Sequence, residues 1–181
     1  ILGLFHLVEN RNLSVETIDK LTGPIIGRPK SATFRTCDVV GLDTLVHVAE
    51  GLYDNCKTDE VRDSFKLPTY VQQLFDNKWL GDKTKQGFYK KTKDEKGNKV
   101  ILSLNLKSLE YETQKRTSYA SLSQAKEIED LRKRLKFLYH SKDEAGEFYR
   151  EMFSDIFAYV SNRIPEISDE TFRIDQAMKA G

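Results

Sequence analysis

The sequence predicts a mostly α-helical protein with one small β-hairpin: a first helical unit, then the start of a second, truncated one. Three observations carry this. Apolar residues recur at three- and four-residue spacing through most of the chain. The spacing shifts toward strand-like runs only once, around a Gly-containing turn between Gly87 and Asn105. A pattern near the start also returns near the end.

The elements follow in order. Residues 1–12 put Ile1, Leu4, Phe5, Leu7 and Val8 on so many faces that this helix should be buried nearly all round. Ser14 is placed to cap a second helix, VETIDKLTG, with Glu16 in the first turn where the helix dipole favours an acid. Gly23-Pro24 stops it. A loop, GRPKSATFRTCDVVGLD, then runs to Asp43, the expected N-cap of a helix carrying Leu45, Val48, Ala49 and Leu52. Pro68 is expected at the first position of TYVQQLFDNKWLG, with Trp79 near its end. Two strands flank the turn Asp94-Glu95-Lys96-Gly97-Asn98. Ser123 should open a long helix with Ile128, Leu131, Leu135 and Leu138 inward, and another helix should follow Gly146.

These elements divide into a first helical domain with its hairpin (1–104), a connection (105–122) and the start of a second helical repeat (123–181). The repeat is seen in LFHLVENRNLSVETIDKLTG against IFAYVSNRIPEISDETFRIDQAM. Both hold Phe, two residues, Val, one residue and Asn-Arg, then a loop, a polar cap and Ile-Asp. With no initiator Met and a pattern unfinished at Gly181, both ends read as cut from a longer protein.

Bulk properties exclude several classes. Hydrophobic content of 39% beside 31% charged residues is that of a folded soluble domain. A net charge of +1 offers no global field to nucleic acid or an anionic membrane. Apolar runs are too short and too charged to span a bilayer, and the apolar start lacks the basic region of a signal peptide. Cys37 and Cys56 are expected as free thiols in a reducing cytoplasm. His6, His47 and His140 stand too far apart in sequence to suggest a metal site. The eight lysines between Lys78 and Lys99 have a nucleic-acid reading, but lysines along a hairpin edge also block edge pairing, so no nucleic-acid partner is expected.

The ordered motifs carry more. Ile18-Asp19 is followed by a loop with Gly27, Pro29, Phe34, Asp38 and Gly41-Leu42-Asp43, and GDKTKQGFY (Gly81 to Tyr89) closes the unit. The chain thereby resembles the C-terminal helical region of 3-hydroxyacyl-CoA dehydrogenases, especially long members in which that region is duplicated. Two departures stand out. Ser31-Ala32-Thr33-Phe34 replaces the common Gly-Pro-Phe ending, and Lys85-Gln86 replaces Gly and one variable residue.

The resemblance implies an NAD-dependent oxidation of 3-hydroxyacyl-CoA to 3-ketoacyl-CoA in fatty-acid β-oxidation. It also implies that the catalytic His–Glu pair and the NAD site lie on a preceding Rossmann domain. No two glycines here are closer than Gly23 and Gly27, so no dinucleotide fingerprint is present. No catalytic residue is therefore assigned. His6 reads as a core histidine, His47 as a helix neighbour of Glu50, and Asn10-Arg11 and Asn162-Arg163 as helix-terminal residues. The resemblance makes the 27–39 loop one wall of an acyl-CoA cleft completed by that Rossmann domain. Pro29 and Phe34 would meet the thioester end, and Lys30 and Arg35 the CoA phosphates. The alternative leaves Phe34 in the core with Lys30 and Arg35 solvated. Asp38 and Asp43 are expected to hold the loop and cap a helix. The family's helical region also mediates association, and the apolar first helix suits pairing with a second subunit or with the repeat. A helical scaffold without a small-molecule role is the rival function.

Overall fold

The apolar spacing of residues 1–22 folds as two helices at the centre of the protein. A computed structural model describes residues 1–115 and 117–180. Arg116, in the expected connection, and Gly181, the end of the expected second unit, lie outside the described residues. Helix α1 (Leu2–Arg11) turns Leu4, Phe5, Leu7 and Val8 inward, while Ile1, Glu9 and Asn10 stay exposed. Its burial thus covers part of the circumference rather than all of it. Helix α2 (Val15–Thr22) opens on Ser14 as expected and buries Ile18 and Leu21.

The stretch expected as open loop contains a helix, α3 (Phe34–Val40). Its cause is remote in sequence. The first N–H groups of a helix have no intrahelical partner. Here the Asp19 carboxylate of α2 accepts them from Thr33 (3.0 Å), Phe34 (2.6 Å) and Arg35 (3.0 Å). Helix α4 (Leu42–Asn55) begins one residue before the expected cap. Gly41, at φ 103°, makes the reversal, and Asp43 lies in the first turn, paired with Lys83 rather than capping. Pro68 precedes helix α5 (Thr69–Asp76) instead of opening it. That helix also stops earlier than expected: Lys78 turns left-handed at φ 60°, and the Trp79 N–H reaches back to the Leu74 carbonyl at 2.9 Å.

Strands β1 (Tyr89–Lys93) and β2 (Lys99–Leu104) form the expected hairpin, Tyr89 opposite Ser103 and Lys93 opposite Lys99. Gly97 supplies φ 81° in the turn, and the Asp94 carboxylate accepts the N–H groups of Lys96 and Asn98. A third strand, β3 (Tyr111–Thr113), pairs with β2 inside the stretch read as a polar connection. Three residues are too few to show alternation.

The long helix expected from Ser123 is two helices, α6 (Ala120–Ala125) and α7 (Leu131–His140). The break occurs because Asp130 caps α7, accepting the Lys133 N–H at 2.8 Å. Helix α8 (Glu144–Asn162) starts before Gly146, capped by Asp143. Gly146 sits in its first turn because a Cβ there would lie 2.1 Å from the Ser141 carbonyl oxygen. Helix α9 (Thr171–Ala180) follows.

One continuous core joins these helices. Phe5, Phe34 and Phe88 pack with ring centroids 4.5 to 6.0 Å apart, and all three are fully buried. Tyr149 of α8 is also fully buried and donates to the Leu21 carbonyl at 2.8 Å, which ties α8 to α2. Arg11 at the end of α1 pairs with Glu147 and Glu151 of α8. The two repeat copies differ in cover: Phe5 is 0% exposed, whereas its counterpart Phe157 is 61% exposed.

Candidate functional site

The motif residues gather on one side of the core, where the 27–35 loop meets the closing turn at 81–91. Gly27 ends a short 3-10 turn (Pro24–Ile26) at φ 83°. It faces Leu131 of α7, where an added Cβ would lie 2.7 Å from a leucine methyl. Asp19 is the hub of the loop. Besides capping α3, its carboxylate accepts the Tyr89 hydroxyl at 2.7 Å, so α2, α3 and β1 are held by one side chain. Burial pushes this carboxyl above its ordinary value, opposed by the hydrogen bonds from Tyr89 and the loop amides.

Asp38 does for the closing turn what Asp19 does for the loop. It is 1% exposed, and its two oxygens accept the Phe88 and Tyr89 N–H groups, each at 2.8 Å. Burial raises its pKa to about 6 against the pull of those amides and of Arg35. The glycines of the closing motif are required by this contact. A Cβ on Gly87 would sit 2.1 Å from Asp38 Oδ1, and one on Gly81 would sit 2.3 Å from the Asp38 carbonyl oxygen. The Asp-containing loop motif and the Gly-containing closing motif are therefore two halves of one joint. Asp38, expected from sequence to hold the loop, instead holds the closing turn from within α3.

The four residues read from sequence as substrate contacts separate into different surroundings. Pro29 and Lys30 are exposed at the tip of the loop. Phe34 is fully buried among Phe5 and Phe88 and offers no wall to solvent. Arg35 is half-buried and forks onto both oxygens of Asp82 at 2.8 and 2.5 Å, which lowers the Asp82 pKa. A cavity of about 310 Å³ opens between loop and closing turn, lined among others by Lys30, Arg35, Asp82, Lys85, Tyr89 and Lys91. Sequence reasoning missed Asp19, Asp82, Lys85 and Lys91 as parts of this site. An acid beside Ile18 on the inward side of α2 was the available signal for Asp19.

Other sequence candidates sit elsewhere. His6 is half-buried in α1, His47 is exposed and meets the edge of Phe75 at 6.2 Å, and Arg11 and Asn162 end their helices. Cys37 is buried, its thiol pushed up to about 12 by burial, and Cys56 is half-buried. Among the described residues no three or more His, Cys, Asp or Glu side chains gather to hold a metal, and no helix is long and apolar enough to cross a membrane. Among the described residues the sheet is antiparallel throughout, and no glycine-rich turn leads from a strand into a helix.

Comparison with known proteins agrees with the motifs. Residues 2–91 match the family model described as 3-hydroxyacyl-CoA dehydrogenase, C-terminal domain. A "Probable 3-hydroxyacyl-CoA dehydrogenase" of Bacillus subtilis is 40% identical over 167 residues, 92% of this chain and 20% of the relative. A protein of the same name from Deinococcus radiodurans is 45% identical over 89 residues, 49% of this chain and 25% of the relative. A "Putative fatty acid oxidation complex trifunctional enzyme" of Rickettsia prowazekii is 22% identical over 179 residues, 97% of this chain and 23% of the relative. The chain thus spans about a fifth to a quarter of the length of these curated relatives. No solved structure matches it significantly. These matches show that the chain belongs, through residues 2–91, to the 3-hydroxyacyl-CoA dehydrogenase C-terminal domain family.

Proposed function

We propose that this chain supplies the helical half of the acyl-CoA cleft of an NAD-dependent 3-hydroxyacyl-CoA dehydrogenase of fatty-acid β-oxidation. The observation that carries the reading is the loop and closing turn pinned to one rigid core by Asp19 and Asp38, with Pro29 and Lys30 presented outward beside a cavity. A substrate wall has to be held firmly to orient a reacting carbon against a hydride acceptor.

NAD and the general base belong to a dinucleotide-binding domain outside the chain, a reading supported by a described sheet that is antiparallel throughout. Bound there, NAD would supply the hydride acceptor. The residues of this chain bind and orient the thioester and exclude water from one side. Of the four contacts expected from the family, Pro29 and Lys30 act directly. Phe34 acts from below by filling the core under the loop, and Arg35 acts by clasping the closing turn through Asp82. The chain alone does not turn over substrate, and it works in the reducing cytoplasm. The exposed apolar residues of α8 and α9, among them Phe157 and Phe172, form the association surface toward a further repeat or subunit.

Mixing the chain with a separately expressed NAD-binding domain of a relative tests the reading. NADH oxidation on acetoacetyl-CoA should appear only in the mixture. Absence of any rate enhancement, with both parts folded, leaves a helical scaffold.

A further inference from the structure

The net charge of +1 conceals a local excess on α7. This ten-residue helix, LRKRLKFLYH, contains no acid. Leu138 is fully buried, Leu135 is half-buried and Leu131 packs on Gly27, so one side of the helix is held to the core. At about 100° per residue the opposite side carries Arg132, Lys133, Lys136 and His140, all exposed, with Phe137 half-buried beside them. Arg134, the remaining cation, turns back to the Ile128 and Glu129 carbonyls at 2.7 and 3.0 Å. The nearest exposed acids in sequence, Glu129 and Asp130 before the helix and Glu144 after it, stand beyond its ends.

Among the described residues the fold makes no use of the outward cations: Arg132, Lys133 and Lys136 form no ion pair there. Their placement also opposes the helix itself. Arg132 and Lys133 occupy the first turn, at the positive end of the helix dipole, where the Asp130 cap alone offsets them. Arg132 and Lys136 are four residues apart and Lys133 and Lys136 three, spacings at which like charges repel. A helix that carries such charges against its own stability is arranged for an external anion. Lys133, Lys136, Phe137 and His140 line an open cavity of about 350 Å³ on this side. Lysine stems are apolar beneath their cationic heads, so the cavity joins hydrocarbon to positive charge.

We propose that the outward face of α7 docks on an anionic phospholipid surface, with Arg132, Lys133 and Lys136 against lipid phosphates and Phe137 at the boundary of the acyl chains. Charge complementarity selects this occupant. Cations spread over one side of a helix meet many interchangeable phosphates, and the lysine stems and one aromatic ring suit the hydrocarbon edge beneath them. An acidic partner helix would need a continuous apolar stripe, and this face offers Phe137 alone. A nucleic acid would offer phosphates without hydrocarbon. Attachment of this kind requires no spanning helix, and it does not rest on the cleft reading above.

Sedimentation of the full 181-residue chain with lipid vesicles tests the docking face. Vesicles of equal parts phosphatidylcholine and phosphatidylglycerol should carry the chain down at low salt and release it as salt rises, and phosphatidylcholine alone should not bind it. Lys136→Ala should weaken binding by about fivefold and Lys133→Glu by about thirtyfold, the scale of one and of two surface charges. Lys96→Glu, in the hairpin turn, alters the net charge as much as Lys133→Glu and should leave binding unchanged. Lys133→Glu should keep the thermal midpoint or raise it by up to about 4 °C, because an acid suits the first turn, so lost binding does not reflect unfolding. Absence of binding to the anionic vesicles at low salt, or equal weakening by Lys133→Glu and Lys96→Glu, overturns the proposal. A DNA duplex held as tightly as the vesicles through the same lysines overturns the choice of lipid.

Discussion

Replacing Asp38 by asparagine should destabilise the protein at low pH and cease to do so near neutrality, an inverted pH dependence for a buried acid with two amide donors. The carboxyl is 1% exposed and its pKa stands at about 6 against an ordinary 3.8, because burial outweighs the Phe88 and Tyr89 N–H bonds. A folded-state pKa above the unfolded one means that the folded protein holds this proton more tightly. The associated stability is fully present below about pH 3.8 and is lost as pH rises through about 6. The gap corresponds to about 3 kcal/mol. The carboxamide of the Asp38→Asn variant does not titrate and turns an NH₂ toward one of the two N–H donors, at a cost of about 1–3 kcal/mol for the unmet amide. The variant's deficit should therefore be largest near pH 4 and shrink by about 3 kcal/mol by pH 7. Urea unfolding followed by Trp79 fluorescence at several pH values measures this as a shift in midpoint at constant slope. A deficit that grows with pH would refute the reasoning, because it would mean that the amides win over burial.

Four other outcomes follow from the same structure. Gly87→Ala should cost about 3 kcal/mol or more in urea unfolding, since its Cβ would lie 2.1 Å from Asp38 Oδ1 and 2.7 Å from Gly81 Cα. Phe34→Ala should lose about 3–5 kcal/mol through a cavity beneath the loop. Tyr149→Phe should lose about 1 kcal/mol by leaving the buried Leu21 carbonyl unmet, measured by the same titration. In thiol labelling of the native chain Cys56 should react well before Cys37, whose buried thiol sits at about 12, and equal rates would contradict the burial.

Much of this fold was legible in local sequence because local physics decides it. Ser14 before VETIDKLTG caps its own helix, and the Asp94–Asn98 turn closes its own hairpin. What was not legible depends on partners distant in sequence. Helix α3 exists because Asp19, 14 to 16 residues upstream, caps it, and nothing within residues 27–43 shows that donor set satisfied. Strand β3 is three residues long and gains its place from β2 and from Tyr111 packing on Trp79, centroids 5.5 Å apart. The break between α6 and α7 was hidden because Ile128 keeps the apolar spacing across the gap that Asp130 ends.

The site shows the same division. Motif order pointed to the 27–43 loop and the Gly81–Tyr89 turn, and both lie together in space. Individual roles needed the third dimension. Phe34 and Arg35 have the composition of ligand contacts, yet one fills the core and the other clasps Asp82. Asp43 has the composition of a cap and is instead an ion-pair partner of Lys83.

The most direct test of the cleft is a titration of the ¹⁵N-labelled chain with acetoacetyl-CoA, following each backbone amide by NMR. Shifts concentrated at residues 30–35 and 85–91, with α7 and the Asp94–Asn98 turn silent, are the predicted result. Shifts confined to other surfaces, or none at millimolar ligand, would contradict the claim that this loop and this turn form one wall of the substrate cleft.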